Sequence, residues 1–336
     1  MSAASPTSYR RQGRTRNGHS AQVAFDQEAA HALQRRIDAR LTVLAPSEHS
    51  EPEALSRSIR YSLLAPGKRA RALIALLTAQ HLGAAVEHAL DPACAIEMVH
   101  AASLIIDDLP AMDDARLRRG LASNHRLFGE DTSILAAIAM LSDAFGAVSR
   151  CAPLSPECRV DIVDMLSRRV GMQGLVAGQE MDLHADYERS SREDIEQIHR
   201  HKTGALFSVS AWVGGRVAGC EPAVLALLDD FGMNIGLAFQ TYDDLADVKG
   251  STETEGKDTQ VDVSKATLVA CEGAEAAERL ADACFEQAED QLGQIGIADG
   301  ALSGFVQLLK FKLKSRIRPA TPPCRPAGRP PEQAAT

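Results

Sequence analysis

Apolar residues recur every three to four positions through most of the chain. The stretches are Ala- and Leu-rich and lie at 25–44, 70–82, 92–108, 131–149, 158–177, 192–218, 223–248, 264–293 and 300–313. That period is the one that lines a single face of an α-helix. Gly and Pro fall between the stretches at about helix-length intervals, where they stop helices. No run alternates apolar and polar residues as a half-buried strand would, and no Gly-rich phosphate loop occurs. No internal repeat stands out at solenoid periods. The pattern predicts an all-α protein, a single bundle of about ten or more helices.

The two ends break the pattern. Residues 1–24 are rich in Ser, Arg and Gly without apolar periodicity, and read as a flexible basic arm. An Arg-rich, acid-poor start also has the character of a transit peptide. Six prolines from Pro319 to Pro331 exclude helix from the tail, so 317–336 reads as extended and disordered. Residues 25–316 are left as the domain that folds.

Composition adds three constraints. Aromatics are 4% of the 336 residues, which favours helix over sheet. No apolar run approaches the ~18 residues of a spanning helix, so no transmembrane segment is expected. The formal net charge is −9, but residues 1–20 carry +4 and residues 312–336 carry +5, leaving −18 on the body. A body that acidic lacks the basic footprint nucleic acid requires. Seven scattered cysteines with no Cys-x-x-Cys pair indicate free thiols in a reducing, cytoplasmic setting.

The acids are not spread evenly. The stretch ending at 108 carries Glu97, His100, Asp107 and Asp108 in one polar stripe, then Pro110 turns the chain so that Asp113 can fold back towards Asp107. Acids at a helix C-terminus oppose the macrodipole and repel one another, a costly placement unless a cation sits there. In 223–248, Gln240, Asp243, Asp244 and Asp247 share one face, with Gly232 and Gly236 continuing it towards the N-terminus. One such cluster is ordinarily a solvated helix end. Two of them, Asp-Asp-x-x-x-x-Asp and Asp-Asp-x-x-Asp, inside apolar helices suit a hard cation such as Mg²⁺ and, through it, a diphosphate. Basic groups accompany them: Gly67-Lys68-Arg69-Ala70-Arg71, Arg118-Arg119, His201-Lys202-Thr203-Gly204 and Gly256-Lys257-Asp258. As a set they offer cationic donors for phosphate oxygens.

With these motifs, plus Gly178-Gln179-x-x-Asp182-Leu183, Phe239-Gln240 and Lys265, the chain resembles the trans-isoprenyl diphosphate synthases, the polyprenyl synthetase family, from about residue 25 to 313. It is most similar in pattern to bacterial geranylgeranyl diphosphate synthases of carotenoid and other diterpenoid pathways. The resemblance implies a helical bundle around a central cavity, a homodimer, and condensation of isopentenyl diphosphate with allylic diphosphates. It implies three Mg²⁺ ions, replaceable by Mn²⁺, with Asp107 and Asp113 as ligands, Asp108 supporting, and Asp243 holding a third ion with help from Asp247. Arg118, Lys202 and Lys257 would grip the allylic diphosphate. Lys68, Arg71, His100 and Arg119 would hold isopentenyl diphosphate. Thr203 and Gln240 would stand beside the reacting carbon.

In this family the residues four and five positions before the first aspartate floor the pocket for the growing chain. Here they are Ser103 and Ala102, both small, and with the insertion Pro110-Ala111 they resemble the bacterial C20 type. C15 and longer products are the alternatives, and Met98 and Val99 one turn lower could limit the latter. Three other readings compete. Class I terpene cyclases share the fold but use a different second motif and have little use for Lys68, Arg71 and His100. A non-catalytic partner subunit typically loses an aspartate-rich motif, and both are present. A plain cation-binding protein leaves the ordered basic residues unexplained. Leu121-Ala122-Ser123 departs from the Pro-Thr common after Arg-Arg-Gly in the family, and the roles of Arg316 and Arg318 are left open.

Overall fold

A computed structural model describes residues 27–186, 189–249 and 267–317. Lys257, with Gly256, Asp258 and Lys265, lies outside these residues, as do the N-terminal arm, Arg318 and the Pro-rich tail.

The described chain is an all-α bundle. Its helices are α1 (Gln27–Leu44), α2 (Glu53–Leu63), α3 (Ala70–His81), α4 (Val86–Asp107), α5 (Asn124–Phe128), α6 (Glu130–Ser149), α7 (Pro156–Val170), α8 (Leu175–Leu183), α9 (Arg192–His199), α10 (Ala205–Val217), α11 (Pro222–Lys249), α12 (Leu268–Glu272), α13 (Ala274–Ile295) and α14 (Ala301–Ile317). A π-helical turn, Arg200–Gly204, joins α9 to α10 without a break in the rod. The core is one cluster in which Ile37, Leu76, Ile96, Met140, Phe207, Phe231, Tyr242 and Phe285 are fully buried. Helix α10 packs on α3, α4, α7 and α11, and α4 runs along α6.

Local signals account for several boundaries. Ser191 caps α9 reciprocally with Asp194, and Ser155 caps α7 ahead of Pro156 in the first helical position. Helix 158–177 was expected in one piece, but the backbone leaves the helix at Gly171–Gly174 and restarts as α8. The stretch 264–293 is likewise divided at Gly273, whose φ of 83° no helix accommodates. Helix α4 begins six residues before Pro92, which therefore sits inside it; the Cys151 thiol lies 3.9 Å from the His88 carbonyl that Pro92 cannot serve.

Two expectations need correcting. Strand is not wholly absent: Leu117–Arg118 pairs antiparallel with Leu121–Ala122. Its turn residues, Arg119 and Gly120, both have positive φ (55° and 76°), as the tightest hairpin turns require. Such a ribbon is too short for alternation to show. Second, α4, α6 and Pro222–Val248 are each long and apolar enough, by length and composition alone, to cross a membrane. Isolated charges interrupt their runs, yet whole windows remain apolar: two-thirds of the α4 window is buried in the bundle, whereas the α6 window leaves most of its residues less than fully buried.

Candidate active site

The site is assembled where the C-terminal half of α4, the 117–122 hairpin, the π-turn and α11 converge. Close approach of α11 to the π-turn depends on glycine. A Cβ added to Gly236 would stand 2.5 Å from the Gly204 Cα. With neither residue carrying a side chain there, Thr203 comes within reach of Gln240, and their Oγ1 and Oε1 atoms are 2.7 Å apart with the hydroxyl donating. Gln240 Nε2 in turn donates to Asp244 Oδ1 at 3.0 Å. Asp244 is buried, with His199 Nε2 3.3 Å from its other oxygen. Burial drives the His199 pKa down to about 4, so at neutral pH it meets Asp244 as a neutral ring.

The first acidic cluster folds as the sequence suggested. The Asp113 backbone N–H donates to the Asp107 carbonyl at 3.0 Å, closing the loop after Pro110 and bringing both aspartates to one place. Asp108 is buried and accepts from Arg118 Nε at 2.8 Å. Burial pushes the Asp107 carboxyl up to about 6; Lys202 and Arg118 work against the rise, and Asp113 and Asp108 add to it. A carboxylate whose charge burial makes costly is prepared to receive a cation. Lys202, one residue from Thr203, is held by Asp182 of α8 at 2.6 Å. Through Lys202 and Thr203 the two acidic walls face one region. Asp243 is a quarter exposed, and its Oδ1 lies 2.9 Å from Arg316 Nη1 of α14. Asp247 is half-buried one turn further on.

The predicted second anion site forms a separate cavity of about 400 Å³, lined by Lys68, Arg71, Glu97, His100, Arg119 and Phe239 among others. All four residues expected there line it. The two arginines of the hairpin part company: Arg118 turns to Asp108, while Arg119 joins the cavity. A Cβ on Gly67 would meet the Arg119 guanidinium at 2.9 Å, so the glycine lets that group lie flat on the backbone. Arg71 stacks over Phe207 with its guanidinium carbon 4.6 Å from the ring centroid, and Phe207 packs on Phe239. Burial, with Arg119 nearby, lowers the Arg71 pKa to about 10, Glu97 opposing. Burial and then Arg71 and Arg119 hold His100 well below its usual value, so it is neutral at pH 7.

Arg69, inside the same motif, has a different task. It is buried, bonds Asp38 at 2.8 Å and the carbonyls of Leu63 and Ala65, and so ties α1, α2 and α3 together. Sequence reasoning assigned no role to Asp182, Phe207 or Phe239 and left Arg316 open; only the Gln179-x-x-Asp182 and Phe239-Gln240 motifs hinted at the first and third. Ala102 is fully buried on α4, and Ser103 turns its hydroxyl back to the His100 carbonyl at 3.0 Å. Neither protrudes.

Magnesium suits this donor set. The aspartates supply hard oxygens, burial makes the Asp107 charge costly despite Lys202 and Arg118, and a guanidinium already stands as a cation on Asp243. Among the described residues no three acids, histidines or cysteines converge closely enough to hold an ion by themselves. That is expected where one or two carboxylates share an ion with substrate phosphates and water.

Comparison with known proteins gives a consistent result. A sequence model of the family described as polyprenyl synthetase matches residues 52–296. A geranylgeranyl diphosphate synthase of Pantoea ananas is 42% identical over 287 residues, covering 85% of this chain and 94% of that protein. A farnesyl diphosphate synthase of Geobacillus stearothermophilus is 37% identical, covering 77% and 88%. Among solved structures, a Helicobacter pylori geranyltransferase complexed with magnesium and isoprenyl diphosphate superposes with a TM-score of 0.76 at 27% identity, over 89% of this chain and all of that one.

Proposed function

The chain belongs to the polyprenyl synthetase family, and from that premise we propose that it joins isopentenyl diphosphate head to tail onto allylic diphosphates, ending at geranylgeranyl diphosphate. The observation that carries this reading is the division of labour between Arg118 and Arg119. Adjacent in sequence, they serve an acidic wall suited to a metal-bound diphosphate and a basic cavity suited to a bare one.

Asp107, Asp113 and Asp243 would hold the magnesium ions, with Asp108 and Asp247 supporting and Mn²⁺ an acceptable substitute. When bound, these ions neutralise the charge that grows on the departing diphosphate. Arg118 and Lys202, with Lys257 from the undescribed segment, hold that diphosphate. As its C–O bond breaks, the oxygen dipoles of Thr203 and Gln240 stabilise the allylic cation. Lys68, Arg71, His100 and Arg119 fix isopentenyl diphosphate, whose double bond supplies the electron pair of the new C–C bond. The proton then lost passes to the released diphosphate, so no side-chain base is needed. Exclusion of water from the loaded site would keep the cation from being quenched.

Relatives that make C20 and C15 products are both close, so product length rests on α4. Ala102 and Ser103 are both small, and C20 is the proposed product, for diterpenoid synthesis. The decisive assay incubates the protein with isopentenyl diphosphate, Mg²⁺ and C5, C10 or C15 starters and sizes the products. All three should yield C20, and Ala102→Tyr should stop growth at C15 with turnover preserved. An unchanged C20 product from that variant would remove the chain-length assignment.

The catalytic domain is assigned to 25–316. The free thiols of the six described cysteines agree with a cytoplasmic setting. A homodimer is proposed through α5 and α6, where Leu127, Leu135 and Ile138 are each more than half exposed.

A further inference from the structure

We infer that Arg316 is the resident counter-ion of Asp243 and competes with magnesium for its carboxylate, so that an ion settles there at full strength only after the guanidinium has been displaced. The inference rests on the assignment of Asp243 to metal binding made above.

The pair joins residues 73 positions apart, Arg316 Nη1 to Asp243 Oδ1 at 2.9 Å, with both side chains about three-quarters buried (23% and 24% exposed). An oxygen engaged by a guanidinium has less electron density to offer an ion. A divalent ion placed beside it also repels the guanidinium, and more strongly here than in open water. Arg316 therefore balances the charge of the second aspartate wall before metal arrives, and taxes its arrival. A diphosphate entering with the ion removes the tax, because its oxygens give the displaced guanidinium a new anionic partner.

The geometry permits release without unfolding. Helix α14 is docked by buried Leu302, Phe305, Val306, Leu309, Leu313 and Ile317. It is pinned a second time by Lys314, 2.7 Å from Asp282, and Lys310, 3.5 Å from the same carboxylate. Tyr242 donates to Asp282 at 2.9 Å, so the residue before Asp243 is locked to the same anchor. With backbone and register held independently, displacement of the Arg316 side chain leaves α14 docked.

Calorimetric titration of the full-length protein with Mg²⁺ alone, and with inorganic pyrophosphate at fixed Mg²⁺, tests this. Arg316→Gln should bind Mg²⁺ alone roughly fivefold more tightly than the natural protein, the scale of a partly buried ion pair. Arg316→Lys should shift less. Lys314→Gln, which removes the same charge from the same helix but from a carboxylate outside the site, should stay within about twofold. Adding Asp243→Asn to Arg316→Gln should abolish the gain. Unchanged or weaker Mg²⁺ binding in Arg316→Gln, or an equal gain in Lys314→Gln, overturns the inference while leaving the metal assignment standing. Absence of Mg²⁺-dependent pyrophosphate binding in the natural protein overturns both.

Discussion

The acidic wall and the basic cavity share a boundary at the 117–122 hairpin but solve opposite problems. Among the described residues of the wall, acids outnumber cations and the cations are matched: Arg118 with Asp108, Lys202 with Asp182, Arg316 with Asp243. In the cavity, Lys68, Arg71, Arg119 and His100 crowd one another with Glu97 as the lining carboxylate. The wall penalises added negative charge unless cations come with it; the cavity penalises its own positive charge until an anion arrives. Burial is the first cause of the lowered pKa values of Arg71 and His100 and of the raised one of Asp107, and at His100 the charges of Arg71 and Arg119 add to it. A site that must release one diphosphate and retain the other benefits from this asymmetry. Only the leaving group meets ions that stabilise its added charge.

The sharpest break in that comparison is Asp243→Ala. It should lower turnover by roughly 10³-fold through loss of an ion, the scale of removing one preorganised electrostatic partner or more. Near-normal turnover at limiting Mg²⁺ would contradict the role given to the wall. Next in size, Arg71→Met in the cavity should raise KM for isopentenyl diphosphate about 10- to 100-fold, the worth of one charged hydrogen bond. Its Mg²⁺ requirement should not move; steady-state kinetics in both ligands would expose a shared site if it did.

The smallest effect is in pH. Because Asp107 carries a folded-state pKa of about 6, it is ionised at pH 7 and largely protonated at pH 5. Metal must displace that proton, so Mg²⁺-dependent pyrophosphate binding should weaken about tenfold per unit below 6. Arg71 stays charged until about 10, so the cavity should hold its anion across the same range. Equal acid sensitivity of the two sites, measured by calorimetry, would show that they are not electrostatically separate.

Much of the fold was legible in the chain. A 3.6-residue period needs only neighbouring positions, so α1, α3, α6 and the rod from α9 through α10 stand close to where it placed them. Glycine interruptions were harder to place, because Gly171 and Gly273 end helices whereas Gly232 and Gly236 serve packing, and sequence shows the residue but not the neighbour. The stretch 53–63 was passed over although it forms α2: its apolar stripe is only Leu55, Ile59 and Leu63, and buried Ser56 and Ser58 share the face that packs on α4, α5 and α6.

The sequence alone determined which residues share a helical face, since that depends on spacing along one backbone, and with it the two aspartate clusters and their attendant cations. Tertiary structure alone decided who pairs with whom. That Arg69 braces three helices while Arg71 lies on Phe207, that adjacent Arg118 and Arg119 point to different chambers, and that Arg316 crosses 73 positions to Asp243 are outcomes of helix docking and a positive-φ turn. Charge acts through space, and distance in space is set by packing between segments that no local period encodes.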